Sequence, residues 1–104
     1  RMINSEFFLN MKNSAYIFNL SRGPVINENH LENALENNII SGAGLDVTNI
    51  EPLTLDSKLL TFKNVIITPH ALCWTDECFN DIATEAIGSI LNFIDKKPIL
   101  NKVN

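Results

Sequence analysis

Residues 19–35, NLSRGPVINENHLENAL, contain three structural signals in quick succession. An apolar run ends at an Arg-Gly pair, and Asn27 then precedes a helical pattern with Leu31 and Leu35 on one face. Asparagine is a favoured helix N-cap. The stretch predicts a strand, a turn and a helix. It places Arg22 at the strand end, where open α/β sheets bind ligands, although a plain polar turn would also fit.

The same alternation continues on both sides of this stretch. Strands are predicted over 15–20, 42–47 and 64–70. Helices are predicted over 5–12, over 28–38 with Asn27 as the cap, and over 74–97 with Thr75 as the cap, and one helical turn is predicted around Leu59. Strands that alternate with helices predict an α/β fold with a parallel sheet and right-handed crossovers. Three strands make half of a Rossmann-type doubly wound sheet. We therefore expect a fragment of a larger two-domain enzyme, cut at its N-terminus before RMINSEFF.

Composition excludes several classes of function. The 104 residues carry 8 basic and 12 acidic side chains, a net charge of −4, and the basic residues are scattered. This pattern argues against binding of nucleic acid or of a membrane surface. The apolar runs are too short to span a bilayer, and no signal peptide is visible. Cys73 and Cys78 match neither a redox nor a zinc spacing, so we expect the reduced thiols of a cytoplasmic protein and no metal site.

A Gly-x-Gly pair occurs in GAGLDV, residues 42–47. The dinucleotide-binding fingerprint needs a strand first, then a third glycine and a helix. Here Leu-Asp-Val follows the glycines instead. We therefore interpret Gly42 and Gly44 as sites of close packing at the strand entry.

Four side chains that can do chemistry are predicted at one edge of the sheet. Arg22 lies at the end of the first strand and His70 at the end of the third. Asp46 lies near the carboxyl end of the second strand, and Glu51 lies five residues beyond Asp46. Asp46 also fits a structural acceptor, and His70 also fits a turn residue. Together, however, an arginine grips a carboxylate, a histidine moves a proton, and a nearby glutamate favours imidazolium and orients the ring. This set suits the interconversion of 2-keto and 2-hydroxy acids beside a hydride carrier.

The motifs that carry these residues are MIN…FLNMK, NLSRGPVINENHLENAL, GAGLDVTNIEPL and NVIITPH, in that order. They resemble the C-terminal half of the nucleotide-binding domain of the D-isomer-specific 2-hydroxyacid dehydrogenases, of the phosphoglycerate and glycerate dehydrogenase type. The resemblance implies that Arg22 binds the substrate carboxylate and that His70, paired with Glu51, is the general acid/base. It implies that Asp46 holds the nicotinamide carboxamide of NAD or NADP. The cofactor-lining residues that it implies are Leu20, Ser21, Arg22, Asp46, His70, Leu72 and Cys73.

The resemblance also implies what lies outside this sequence. Residues 1–97 would form half of the nucleotide-binding domain, and 98–104, PILNKVN, a tail that leads back toward a substrate domain. The phosphate-binding glycine turn would lie upstream, so we expect the isolated chain to be inactive and to expose an apolar strip along its first strand or first helix. The intact enzyme would be a homodimer. A non-catalytic binding or regulatory module with the same fold is the alternative, but Arg22, Glu51 and His70 together argue against it.

One segment differs from the usual family pattern. Many members carry small residues after the histidine, whereas this sequence has ALCWT. Leu72, Cys73 and Trp74 would therefore shape the pocket and influence which 2-keto acid fits.

Overall fold

A computed structural model describes residues 2–99 and residue 102. The elements are α1 (Ser5–Leu9), β1 (Tyr16–Asn19), α2 (Glu28–Glu36), β2 (Gly42–Leu45), β3 (Val65–Ile67) and α3 (Asp76–Ile94), with short 3-10 helices at Gly23–Val25 and Lys58–Thr61. This is the predicted order, including the turn around Leu59. Residues 100, 101, 103 and 104 of the predicted tail lie outside the described residues, and the domain boundary at residue 97 stays a prediction.

Asparagine side chains begin the first two helices. The side chain of Asn4 accepts a hydrogen bond from the backbone N–H of Phe7, at 3.1 Å, and begins α1. Asn27 accepts one from the backbone N–H of His30 and begins α2, as predicted. Each cap satisfies a backbone donor that the helix itself leaves unpaired.

The three strands form a parallel sheet in the order β1-β2-β3. Asn19 pairs in register with Leu45, and Leu45 pairs with Ile67, so the three strands end at the same level. The predicted parallel half-sheet is therefore confirmed. Its carboxyl edge brings together the segments that follow each strand.

The first compact unit, Arg1–Leu72, has its core on one face of this sheet. Side chains of α1, α2 and the strands fill it, and the buried members are Phe8, Ile26, Leu31, Ala34, Leu35, Ile40, Ala43, Leu45 and Leu59. Alternate residues of a strand point to opposite faces. Tyr16 and Phe18 accordingly stand on the other face and are 59% and 68% exposed. The predicted exposed apolar strip along the first strand is confirmed.

Gly42 and Gly44 lie within β2 rather than before it. A Cβ at Gly44 would meet the ring of Phe18 at 2.6 Å, and one at Gly42 would meet the ring of Tyr16 at 2.8 Å. The interpretation of these glycines as close-packing sites is confirmed.

Gly23 is needed for space, not for an unusual backbone angle. No glycine among the described residues has a positive φ, but a Cβ at Gly23 would collide with the backbone carbonyl of Thr48. The residue is buried and lies directly after Arg22. Its missing side chain lets the turn after β1 pack against the segment after β2.

We expect Gly23→Ala to lower the stability of the protein clearly. Overpacking against backbone costs about 1–3 kcal/mol, because neither segment can move without disturbing its strand. Gly88→Ala is the matched control, since a Cβ there meets nothing within 4 Å and alanine favours a helix. Thermal unfolding checks this, and equal melting temperatures for the two variants would contradict it.

The second unit, Cys73–Asn104, contains α3. Thr75 caps this helix by accepting a hydrogen bond from the backbone N–H of Cys78 at 3.1 Å, as predicted. None of its described residues is buried. No helix in the described part of the chain has the length and apolar character that a bilayer crossing requires.

The expectation of free thiols is wrong for this structure. Cys73 and Cys78 are joined by a disulfide, with their Cα atoms 5.6 Å apart. This separation lies within the range that a disulfide bridges. Cys73 precedes the Thr75 cap and Cys78 belongs to the first turn of α3, so the start of the helix brings the two sulfurs together.

Candidate active site

The carboxyl edge of the sheet carries the predicted site residues of the first unit. Asp46 directly follows β2, and Arg22 and His70 each come three residues after the end of β1 and β3. Glu51 belongs to the loop after β2, and its hydrogen bond with His70 places it at the same edge. The parallel register places these segments side by side, where open α/β sheets bind ligands.

Glu51 and His70 form a hydrogen-bonded pair. The Nδ1 atom of His70 lies 2.8 Å from Oε2 of Glu51, while Oε1 accepts a hydrogen bond from the backbone N–H of Thr48 at 3.0 Å. Both side chains are partly exposed, at 47% for His70 and 39% for Glu51. The carboxylate is thus held by the β2 loop and holds one ring nitrogen, which leaves Nε2 to face a ligand.

The surroundings favour the ionised form of Glu51. The hydrogen bond with His70 lowers the pKa of the Glu51 carboxyl most, followed by the amide of Thr48, and the charge of Arg22 adds to the same effect. Glu51 is therefore a carboxylate at neutral pH.

His70 has an unusual backbone conformation. Its φ is 54°, in the left-handed region that side chains other than glycine seldom occupy. Such a conformation persists only where the surrounding structure fixes it, and it occurs often at functional sites. Here the His70 amide donates to the carbonyl of Thr68 at 3.0 Å, which closes the turn.

Asp46 holds this turn from the second strand. Its Oδ1 accepts hydrogen bonds from the Thr68 hydroxyl at 2.5 Å and the Ala71 amide at 3.0 Å, and its Oδ2 accepts one from the Leu72 amide at 3.2 Å. The Thr68 hydroxyl first, then the amides of Ala71 and Leu72, lower the pKa of this buried carboxyl. The structural interpretation of Asp46 is therefore correct, and the carboxylate grips residues on both sides of His70.

Sequence reasoning missed Asn19 and Thr68 as parts of this site. Asn19 ends β1, is only 5% exposed, and bonds through its side chain to the backbone of Ser21 and Arg22. An asparagine near the end of an apolar strand, three residues before Arg22, was the available signal. Thr68 offered none, because its partner Asp46 comes from another strand.

Arg22 itself is exposed. Its Nη1 donates to the carbonyl of Ser21 at 2.6 Å, and its backbone N–H donates to the hydroxyl of Ser21 at 2.7 Å. The guanidinium therefore retains donors that point to no protein acceptor among the contacts described, which is what capture of a ligand carboxylate requires.

An apolar cavity of about 610 Å³ lies beside the Glu51–His70 pair. Its walls include the side chains of Leu53, Leu55 and Leu60, which all belong to the first unit. The volume falls within the range of small-molecule sites. The pair therefore lies against an apolar surface on one side.

The strand ends also suit the nicotinamide part of a dinucleotide. Asp46 accepts three hydrogen bonds and a carboxylate offers about four acceptor positions, so one carboxamide N–H can be added. Leu20 and Leu72, on the segments bonded to Asp46, are 61% and 56% exposed and offer apolar contact for a ring. The predicted cofactor roles of these residues and of Ser21 stay predictions. So does that of Cys73, which belongs to the second unit.

Comparison with known proteins gives a consistent result. Residues 1–71 match the family described as "D-isomer specific 2-hydroxyacid dehydrogenase, NAD binding domain". Glyoxylate/hydroxypyruvate reductase B of Cronobacter sakazakii is 44% identical over 103 residues, which are 99% of this chain and 32% of the relative. A putative 2-hydroxyacid dehydrogenase of Staphylococcus epidermidis is 51% identical over 69 residues, 66% of this chain and 22% of the relative.

Solved structures agree with the sequence relatives. A D-isomer specific 2-hydroxyacid dehydrogenase of Xanthobacter autotrophicus, crystallised with NADPH and MES, superposes with a TM-score of 0.80 at 32% identity. A probable 2-hydroxyacid dehydrogenase of Rhizobium etli, crystallised with NADP, HEPES and tartaric acid, gives 0.81 at 28% identity. Both superpositions cover 99% of this chain and 33% of the other. The chain therefore spans about a third of the length of these relatives.

Proposed function

The chain belongs to the D-isomer specific 2-hydroxyacid dehydrogenase family, NAD binding domain, and we propose that it supplies the catalytic half of that domain in a longer enzyme. The enzyme interconverts a 2-keto acid and a 2-hydroxy acid with NAD or NADP. The 2.8 Å contact between His70 and Glu51 at the sheet edge carries this proposal.

A bound nicotinamide cofactor supplies or accepts the hydride, and the residues of this chain do the rest. Arg22 binds the substrate carboxylate through its planar fork and draws the adjacent carbonyl toward the edge of the sheet. Nε2 of His70 donates a proton to the keto oxygen during reduction and removes it from the hydroxyl during oxidation. Glu51 binds Nδ1 of His70, so the ring keeps its orientation.

Asp46 has two duties in this proposal. Its carboxylate holds the turn that carries His70, and its remaining acceptor position receives the carboxamide. Leu20, Ser21 and Leu72 line the cofactor. Because the segment that binds the pyrophosphate lies elsewhere in this proposal, the 104-residue chain alone binds the cofactor weakly and is inactive.

We further propose a cytoplasmic homodimer that acts on small 2-hydroxy or 2-keto acids and binds neither nucleic acid nor membrane. The scattered basic residues and the net charge of −4 support the absence of nucleic-acid binding. The apolar face with Tyr16 and Phe18 supports burial of this surface in the longer enzyme, because exposed apolar patches of this kind usually contact further protein.

The test uses the intact polypeptide that carries this chain, called the intact enzyme below. We expect it to oxidise NADH or NADPH when glyoxylate, hydroxypyruvate or another 2-keto acid is added, and not with simple aldehydes that lack the carboxylate. Calorimetry with the 104-residue chain alone should detect no micromolar NAD binding. An intact enzyme that reduces no 2-keto acid would overturn the proposed function, and tight NAD binding by the chain alone would overturn its dependence on other segments.

A further inference from the structure

We propose that Asn19 is the positioning residue for Arg22, because its buried side-chain amide fixes the backbone from which the guanidinium reaches the substrate. This inference rests on the proposed function, in which Arg22 binds the carboxylate of a 2-keto acid. It concerns the position of the guanidinium, which depends on the backbone that Asn19 holds.

Both the donor and the acceptor of the Asn19 side-chain amide form hydrogen bonds within one turn. Nδ2 donates to the carbonyl of Arg22 at 3.0 Å, while Oδ1 accepts from the amide of Ser21 at 3.2 Å and from its hydroxyl at 3.4 Å. The site therefore requires a donor and an acceptor on the same short side chain. Among the standard residues of this size, only asparagine provides both in a planar group.

Other contacts connect this turn to the rest of the site. The carbonyl of Arg22 also accepts a hydrogen bond from Val25 at 3.2 Å, which closes the turn on its far side. The backbone carbonyl of Asn19 accepts the Asp46 amide at 3.0 Å. The Asn19 amide thus fixes the Arg22 backbone relative to the strand end that carries Asp46.

The side chain of Arg22 needs this support because it is exposed and long. Arginine has many rotamers, and a rotation of the backbone beneath it is amplified along the side chain to the guanidinium. A misplacement of about 1 Å in a reacting group can cost about 10²-fold in rate. Burial of Asn19 at 5% exposure keeps water from competing for the three hydrogen bonds.

The experiment is a double-mutant cycle on the intact enzyme with Asn19→Ala, Arg22→Gln and the combination. Oxamate is a carboxylate analogue that cannot be reduced. We expect Asn19→Ala to raise both KM for the 2-keto acid and Kd for oxamate about tenfold. KM for NADH should rise much less, because only Ser21 of the proposed cofactor lining bonds to the Asn19 side chain. In the Arg22→Gln background, Asn19→Ala should raise neither value further, because its effect acts through the arginine.

Two further variants separate positioning from folding. Asn19→Asp keeps the shape and the acceptor for Ser21 but loses the donor to Arg22, so it should raise KM as Asn19→Ala does even if the alanine variant folds poorly. Asn64→Ala is the control, because the Asn64 side-chain amide also donates to a backbone carbonyl, that of Ser41 at 2.7 Å. Ser41 directly precedes β2, and this variant should leave KM unchanged.

The outcomes distinguish this inference from the proposed function. Two results would overturn the role of Asn19 while leaving the dehydrogenase assignment intact. One is unchanged oxamate affinity in both Asn19 variants. The other is that Asn19→Ala lowers oxamate affinity as much in the Arg22→Gln background as in the wild-type enzyme. A wild-type enzyme that neither reduces 2-keto acids nor binds oxamate would overturn both.

Discussion

Replacement of His70 by glutamine is expected to lower kcat for 2-keto acid reduction by about 10²–10⁴-fold, the usual contribution of a general acid. Glutamine can keep a hydrogen bond to Glu51 but has no proton to deliver to the keto oxygen. KM for both substrates should change little, because His70 acts on the reacting oxygen and not on the carboxylate. Steady-state kinetics of the intact enzyme at several pH values measures this.

The chain provides a matched control for this variant. Its second histidine, His30, accepts the backbone N–H of Ser5 through Nδ1 at 2.9 Å. Glutamine at position 30 can replace that acceptor, so His30→Gln should leave kcat unchanged. Near-full activity of the His70→Gln variant would mean that His70 is only a turn residue.

Replacement of Arg22 by glutamine is expected to reduce kcat/KM for the keto acid by about 10²–10³-fold, with the larger part in KM, because a charge-assisted bidentate pair is lost. Arg22→Lys should recover only part of the loss, since an ammonium keeps the charge but not the fork. KM for NADH should change much less than KM for the keto acid. These values come from initial rates with each substrate varied in turn.

A second cation serves as the control for charge. Lys58 forms an exposed ion pair with Glu36 at 2.8 Å, so Lys58→Gln removes the same charge from the first unit without touching the strand ends. It should leave kcat/KM unchanged. If Lys58→Gln and Arg22→Gln have equal effects, Arg22 acts through the general charge of the surface and not as the carboxylate ligand.

Local patterns were enough to predict the elements and the edge where the site lies. The caps at Asn27 and Thr75 and the alternation of apolar runs depend on neighbouring residues alone, and the structure has them where the sequence indicates. Parallel strands also fix which loops meet. Arg22, Glu51 and His70 could therefore be assigned to one edge from sequence.

Contacts between distant segments could not be predicted in the same way. The bonds of Asp46 to Thr68, Ala71 and Leu72 join residues more than 20 positions apart, and only the register of β2 and β3 brings them together. The space requirement of Gly23 similarly depends on where Thr48 passes. The disulfide of Cys73 and Cys78 was missed because their spacing matches no motif, whereas the geometry at the helix start decides it.

The most direct measurement of the central claim is the pH dependence of kcat/KM for keto-acid reduction by wild-type enzyme and Glu51→Gln. The contact with His70 lowers the pKa of Glu51, so the carboxylate is charged at neutral pH and lies against Nδ1 of the ring. Glutamine removes that charge. The upper pH limit of reduction should therefore fall, because the charge that supports proton donation by the ring is gone.

The reverse reaction provides an internal check, because oxidation needs the neutral ring. Its lower pH limit should fall together with the upper limit of reduction, while Glu36→Gln, which removes a carboxylate paired with Lys58, should move neither. A joint downward shift of both limits in Glu51→Gln is the predicted result. Limits that stay at their wild-type positions would contradict the Glu51–His70 pair as the proton-transfer unit of this enzyme.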